Sequence, residues 1–451
     1  MRTSPLGSTV PVLLGVCLLS GILLEAYAQD KANMEMAQSR EREFPGAEQL
    51  VRGEESGYSA NYDSEAQKTG FGRPMERSVP GGLVVVIKND KNQSLDLRAL
   101  NNPLISGVAL QIHWSDIEPV QGQLDWSKLD ELFAAAESAK KWVQLLIFPG
   151  FFAPPWAKEG AQTDLFPIQY GPGRGTVAKL PMPWDNVYLS RWFAFLKKLS
   201  SRYGRLPAFA VIAAAGPTSV SAEFTLPNKP EDRKKWLDDA YTPRKYTEAW
   251  QTTFQVYSEY FPNQYVSLSA PSLPILGPGR KGLDERNRAR QAIVDQAMSL
   301  LGRRLVLQWS DLHAGQDAGT ARESRHFEFL ADYFGRVITG LQMGTNAEHN
   351  SGFMGAEGDP PLALRRSIDK GMQPNNAGQH INYLEIYEPD VVADEMQPVL
   401  RYGASLFEGN QPSERFPGAG QRVQSRSSEN QYSQTGRPGF RKRIRQHDLE
   451  E

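Results

Sequence analysis

The chain has 451 residues, 40% of them hydrophobic, with nine tryptophans and a single cysteine. That is more than one small domain needs and about right for a large α/β barrel with tails. A formal net charge of −2 gives no electrostatic reason to expect nucleic acid or an anionic membrane as partner.

The first 28 residues read as a targeting segment. Met1-Arg2 precedes the apolar run Val10–Leu24, and Ala26-Tyr-Ala28 has the small-x-small cleavage pattern, so cutting is expected before Gln29. The run is short for a membrane span, an uncleaved anchor being the alternative, and the mature chain is expected to be secreted or periplasmic. Cys17 lies inside this run, preceded by Val16 where a lipoprotein site carries Gly or Ala. A mature chain without cysteine has no disulfides and no thiol nucleophile, and a structural zinc site is not expected. Residues 29–79 are polar without an apolar period and read as a flexible leader.

From residue 80 to 408 strands and helices alternate, the pattern of parallel α/β structure. Strands are predicted at Leu83–Ile87, Gly107–Trp114, Trp142–Phe148, Phe209–Ala215, Tyr265–Ala270, Leu305–Trp309, Val337–Met343 and Ile381–Tyr387. Helices are predicted at Leu129–Lys141, Tyr188–Tyr203, Thr242–Tyr260, Asp284–Leu301, His326–Phe334 and Pro360–Lys370. Eight strands over this length specify a (β/α)8 TIM barrel. The link between the first two strands is too short for a full helix. An open doubly wound sheet is the competing fold, and it lacks the Gly-x-Gly-x-x-Gly expected after its first strand. Residues 409–451 read as a disordered tail whose basic knot, Arg441-Lys-Arg-Ile-Arg445, is a solvated segment or a surface tether.

In a barrel, alternate strand residues point inward, and those near the C-terminal ends line the pocket. In the second strand Leu110, Ile112 and Trp114 share one parity and Gln111 and His113 the other, so the polar pair should face the lumen. The same alternation turns Gln144, Gln308, Gln342, Tyr383, Glu385 and Tyr387 inward. Buried amides need partners, and a ring of Gln with one Glu suits the hydroxyls of a sugar, the alternative being a polar layer satisfied within itself. Trp114, Trp156, Trp184 and Trp309 fall at strand ends or in the third-strand loop. They are either sugar-stacking faces or ordinary core.

Trp114-Ser-Asp-Ile-Glu-Pro-Val-Gln-Gly-Gln-Leu-Asp-Trp126, followed by Leu129-Asp130 and by Pro149…Ala-Pro-Pro-Trp156, resembles the second and third strand units of clan A glycoside hydrolases. The resemblance is closest to the N-terminal barrel of the family 42 β-galactosidases, whose strand runs into Trp-x-x-Glu-Pro-x-x-Gly. It covers about 50 residues well and the barrel order loosely. It implies a carbohydrate substrate, no cofactor, and a retaining mechanism with an acid/base ending the fourth strand and a nucleophile ending the seventh.

The chain departs from that pattern at both places. The fourth strand ends Ala213-Ala-Ala-Gly-Pro217 where the clan has Asn-Glu, and Gln342 stands where the seventh strand should carry Glu. Glu223, one loop length past the fourth strand, is the acid/base candidate, and Glu385, inward on the eighth, is its partner. A separation of about 5 Å would mean retention and roughly 6.5–9.5 Å inversion. Gln111, His113, Trp114, Trp156, Gln308, Trp309, Gln342 and Tyr387 are the expected substrate-binding residues. Glu118 is expected to tie down its loop. Asp311-Leu-His313 reads as a surface turn, a local acid–imidazole pair being the alternative, and Gly171-Pro-Gly-Arg-Gly175 as a flexible loop over the pocket. His313, His326, His349 and His380 have no metal-ligand spacing. A glycosidase using Glu223 and Glu385 is the expected function. A carbohydrate-binding barrel without catalysis and a structural envelope protein are the rivals.

Overall fold

The computed structural model describes residues 79–89, 95–169, 171, 173–223, 226–269, 279–315 and 327–408. The targeting segment, all but the last residue of the leader, and the basic tail lie outside the described residues. Among the described residues there are ten strands: β1 (Gly82–Lys88), β2 (Ile105–His113), β3 (Trp142–Phe148), β4 (Thr163–Pro167), β5 (Val177–Pro181), β6 (Phe209–Ala213), β7 (Tyr265–Ser269), β8 (Leu305–Leu312), β9 (Ile338–Met343) and β10 (Tyr383–Tyr387). Eight of them close a barrel in the order β1-β10-β9-β8-β7-β6-β3-β2, every pairing parallel. This is the expected (β/α)8 barrel. All seven residues of β3 are buried, because helices cover the outside and side chains fill the inside.

The helices follow from capping and apolar period. Asp185 accepts the Tyr188 backbone N–H at 2.8 Å and starts the helix Asn186–Tyr203, which buries Leu189, Trp192, Phe195, Leu196 and Leu199 before Gly204. Thr242 caps Pro243–Tyr260 in the same way, with Pro243 at the first helical position. Among the described residues the first connection holds only the 3-10 turn Arg98–Asn101. No helix among them is long and apolar enough to cross a membrane.

The lower barrel is filled by two rings. Trp142 and Tyr383 meet edge to face, with centroids 5.8 Å apart. A Cβ on Gly107 would lie 2.4 Å from the Trp142 ring, and one on Gly340 would lie 2.1 Å from the Tyr383 ring. Each large side chain occupies space that a glycine on the adjacent strand leaves open, the large-against-small filling of a barrel layer.

Three of the elements around the strand ends differ from expectation in ways that bear on the site. The second strand ends at His113, and Trp114 opens the short helix Trp114–Ile117. The third-strand loop holds an antiparallel hairpin, β4 against β5. Gly171, Gly173 and Gly175 lie at its tip with positive φ, and Gly171 faces Val220 of the fourth-strand loop, whose Cγ1 is 3.3 Å from a Cβ built on Gly171. β8 runs on to Leu312 with a register shift, so Asp311 belongs to a strand and not to a surface turn.

Candidate active site

A narrow cleft opens at the C-terminal ends of the barrel strands. Its lining comprises three carboxamides (Gln111, Gln308, Gln342), four hydroxyls (Ser221, Ser267, Ser269, Ser310), one carboxylate (Glu223) and an apolar wall that includes Leu146 and Phe148. Strand alternation explains most of it. Gln111, Leu146, Ser267, Ser269, Gln308 and Gln342 all occupy inward positions near strand ends.

Glu223 arrives by a loop that is held from behind. The Trp192 indole donates to the Ala215 carbonyl at 2.8 Å, Tyr246 to that of Pro217 at 2.8 Å, and Tyr188 to that of Gly216 at 3.3 Å. The Ala215 N–H donates to the Tyr257 hydroxyl at 3.0 Å. Two helices thus fix the backbone between β6 and the cleft. Glu223 ends it in a parallel bridge to Ser269, its N–H donating to Ser221 Oγ at 3.2 Å. The loop that follows these anchored residues carries Glu223 to the cleft.

Glu385 is completely buried beneath the amide layer. Gln342 Nε2 donates to its Oε2. Gln342 Oε1 in turn accepts from the Tyr387 hydroxyl at 3.2 Å and from Gln111 Nε2 at 3.4 Å. Gln144 donates to Gln308 at 3.1 Å, as does the Tyr383 hydroxyl. Burial pushes the Glu385 carboxyl up to about 7, partly offset by the amides of Gln342, Gln308 and Gln144. The expected ring therefore exists, and much of its bonding capacity is spent within itself. Glu385 does not reach the cleft surface.

The tryptophans do not supply a sugar platform. Trp114 is fully buried outside the barrel, edge to face with Trp156 at 5.5 Å and Trp192 at 5.2 Å. Its indole N–H donates to Glu118 Oε2 at 3.3 Å, while the Trp156 N–H donates to the Glu118 carbonyl at 3.0 Å. Trp114 has the parity of Leu110 and Ile112, the set that faces the helices, and the helix beginning at Trp114 does not turn it round. Trp309 likewise takes the parity opposite to Gln308 and is buried. Trp184 packs on Trp236 and Tyr241. None of the four lines the cleft.

His113 is half-buried at the rim, stacked on Phe152 at 4.0 Å and 3°, with Nδ1 3.7 Å from Asp116. Tyr387 sits between the cleft floor and Lys88, whose ammonium lies 4.2 Å above its ring. Its hydroxyl is pushed up by burial and by the nearby charges of Glu385, Glu223 and Asp311. Glu118 has the structural role expected of it: fully buried, it accepts from Lys198 at 2.7 Å and from the Gly122 N–H at 2.9 Å. Sequence reasoning missed the serines and Asp311. Serine carries no pattern of its own, and the bulge that re-aims Asp311 has no sequence signal here. Among the described residues no group of three or more His, Cys, Asp or Glu is placed to hold a metal.

Barrel and mouth together define a (β/α)8 protein with a polar cleft at the C-terminal ends of its strands. Residues 88–272 match the model of glycoside hydrolase family 42, described as beta-galactosidase, which bears out the resemblance in the strand-two and strand-three units. In a comparison with curated proteins none matches the chain. Among solved structures, a β-galactosidase from the psychrophilic Marinomonas ef1 aligns with a TM-score of 0.42 at 14% identity, over 72% of this chain and 59% of that one. The exo-β-1,4-mannosidase Op5Man5 from Opitutaceae bacterium strain TAV5 aligns with a TM-score of 0.43 at 13% identity, over 73% and 60%. The chain thus spans about three fifths of the length of each.

Proposed function

We propose that the cleft binds a glycan and hydrolyses an O-glycosidic bond, with Glu223 delivering the proton to the departing oxygen. The observation that carries this is a lone carboxylate standing among three carboxamides and four hydroxyls at the C-terminal mouth of the barrel. Amides and hydroxyls both donate and accept, as sugar hydroxyls require. The family model's description makes β-galactosides the first substrate class to test. Glu385 is the second carboxylate in this scheme. It reaches the sugar only when the Gln342 amide turns off its Oε2.

A second reading, a carbohydrate-binding barrel without turnover, is favoured by the enclosure of Glu385 and by Ala214, Ala215 and Gln342 at the places where the clan carries its carboxylates. One set of measurements separates the two. β-Galactosides and a panel of other β-glycosides are offered to the wild type, Glu223→Gln and Glu385→Gln, following both turnover and binding. An enzyme loses roughly a hundredfold or more in rate in Glu223→Gln while still binding the glycan. A binding barrel shows no turnover in any form and keeps its affinity. No binding and no turnover in the wild type overturns both.

A further inference from the structure

The rim of the cleft on the β8–β9 side is built unlike the rest. Trp309 pairs with Leu341, but Leu312 pairs with Met343. Ser310 and Asp311 thus face the single residue Gln342. Two residues against one is a β-bulge, which breaks the alternation and re-aims a side chain at the end of a strand. Ser310 lines the cleft, and Asp311 beside it is exposed on the rim, close enough for its charge to act on the Tyr387 hydroxyl.

Phe353 and Asp311 both flank Gly344 there. The point that a Gly344 Cβ would occupy lies 3.0 Å from Asp311 Oδ1 and 3.1 Å from Phe353 Cε1. Carboxylate and ring edge are therefore neighbours across a position kept clear by glycine. The ring is 46% exposed, yet it is not loose. It stacks on buried His313 at 4.2 Å and 28°, and its helix, Ala347–Met354, is tied back by the Ala314 N–H donating to the Met354 carbonyl at 3.2 Å. A fixed, exposed aromatic beside a carboxylate offers an apolar face and a strong acceptor together. Those are the two surfaces a pyranose ring presents a need for.

A glycan of more than one residue seated in the cleft extends across its edge. Ser310 joins the cleft to Asp311 without a break in the chain. We propose that Phe353 and Asp311 form an outer sugar subsite, the ring of Phe353 stacking on the residue next to the one in the cleft and Asp311 accepting from its hydroxyls. This rests on the cleft being the glycan site. It assigns a sugar-stacking surface to a residue outside the tryptophan set.

The test is calorimetric titration of the full chain with galactose, glucose and mannose and with their β-1,4-linked disaccharides. Wild type should bind at least one disaccharide more tightly than its monosaccharide. Phe353→Ala and Asp311→Asn should each remove about tenfold of that advantage, the size of one stacking or charged contact, with monosaccharide affinity unchanged. Phe353→Tyr should restore it. If both variants bind the disaccharide like wild type, the outer subsite is wrong while the cleft stands. Equal loss for monosaccharide and disaccharide likewise overturns it, since the rim would then act only through the cleft. If no saccharide binds the wild type, the cleft and the subsite fall together.

Discussion

Replacing Glu385 by Gln should change how stability depends on pH. Burial holds this carboxyl at about 7 against an ordinary 4.5. The folded protein therefore keeps a proton that the unfolded chain gives up as pH rises past 4.5. The stabilising contribution is fully present below about 4.5 and is lost as pH rises through about 7. At roughly 1.36 kcal/mol per pH unit the gap corresponds to about 3 kcal/mol, and no discount for solvent applies because Glu385 is wholly enclosed. With an unfolding entropy of about 2.1 cal/mol/K per residue over roughly 330 residues, that is ~4–5 °C in Tm. Scanning calorimetry of wild type and Glu385→Gln at pH 5, 6, 7 and 8 measures it. Gln is uncharged throughout and fits the same space, so the wild type should fall relative to the variant by most of that amount between pH 5 and pH 8. Glu388 and Asp390, raised by burial to about 7 and about 6, are present in both proteins and cancel. Parallel Tm curves would refute the account of a buried carboxyl titrating near neutrality.

Two further substitutions test the placement of large side chains. Gly340→Ala drives a methyl into the Tyr383 ring, 2.1 Å away, and should cost about 1–3 kcal/mol in urea denaturation. The double variant Gly340→Ala with Tyr383→Leu should recover part of that loss. Trp114→Leu should destabilise by about 2–4 kcal/mol, since it empties a buried aromatic wall. It should leave the glycan affinity of the folded protein unchanged, and a tenfold or greater loss of affinity would put Trp114 back in the site.

The barrel was legible because its signals are repetitive. Trp142–Phe148 was placed without error, and alternation correctly turned Gln111, Gln144, Gln308, Gln342 and Glu385 to one side, where they bond to one another. The same alternation placed Trp114 with Leu110 and Ile112, on the helix side, and the structure follows that parity over the attraction of a tryptophan at a strand end. Asp311 was hidden for the opposite reason, because a bulge suspends alternation just where the site begins. The hairpin β4–β5 was missed because Pro and Gly around Ile168–Gly175 masked two five-residue strands. The depth of Glu385 was not readable either. Inwardness follows from parity, but height along the barrel axis depends on the register between β9 and β10.

The two rings under the cleft have a consequence for how this barrel can vary. Positions 340 and 383 sit opposite each other in register, and one holds a ring only while the other holds nothing. Positions 107 and 142 are coupled in the same way. Each pair is therefore a single unit of change, and a side chain gained on one strand must be matched by a loss on its neighbour. The amide layer rests directly on these pairs, so exchanges made far below the mouth would tilt Gln144, Gln308 and Glu385 together. A designer seeking to reshape the cleft has a lever at the bottom of the barrel, out of reach of any ligand.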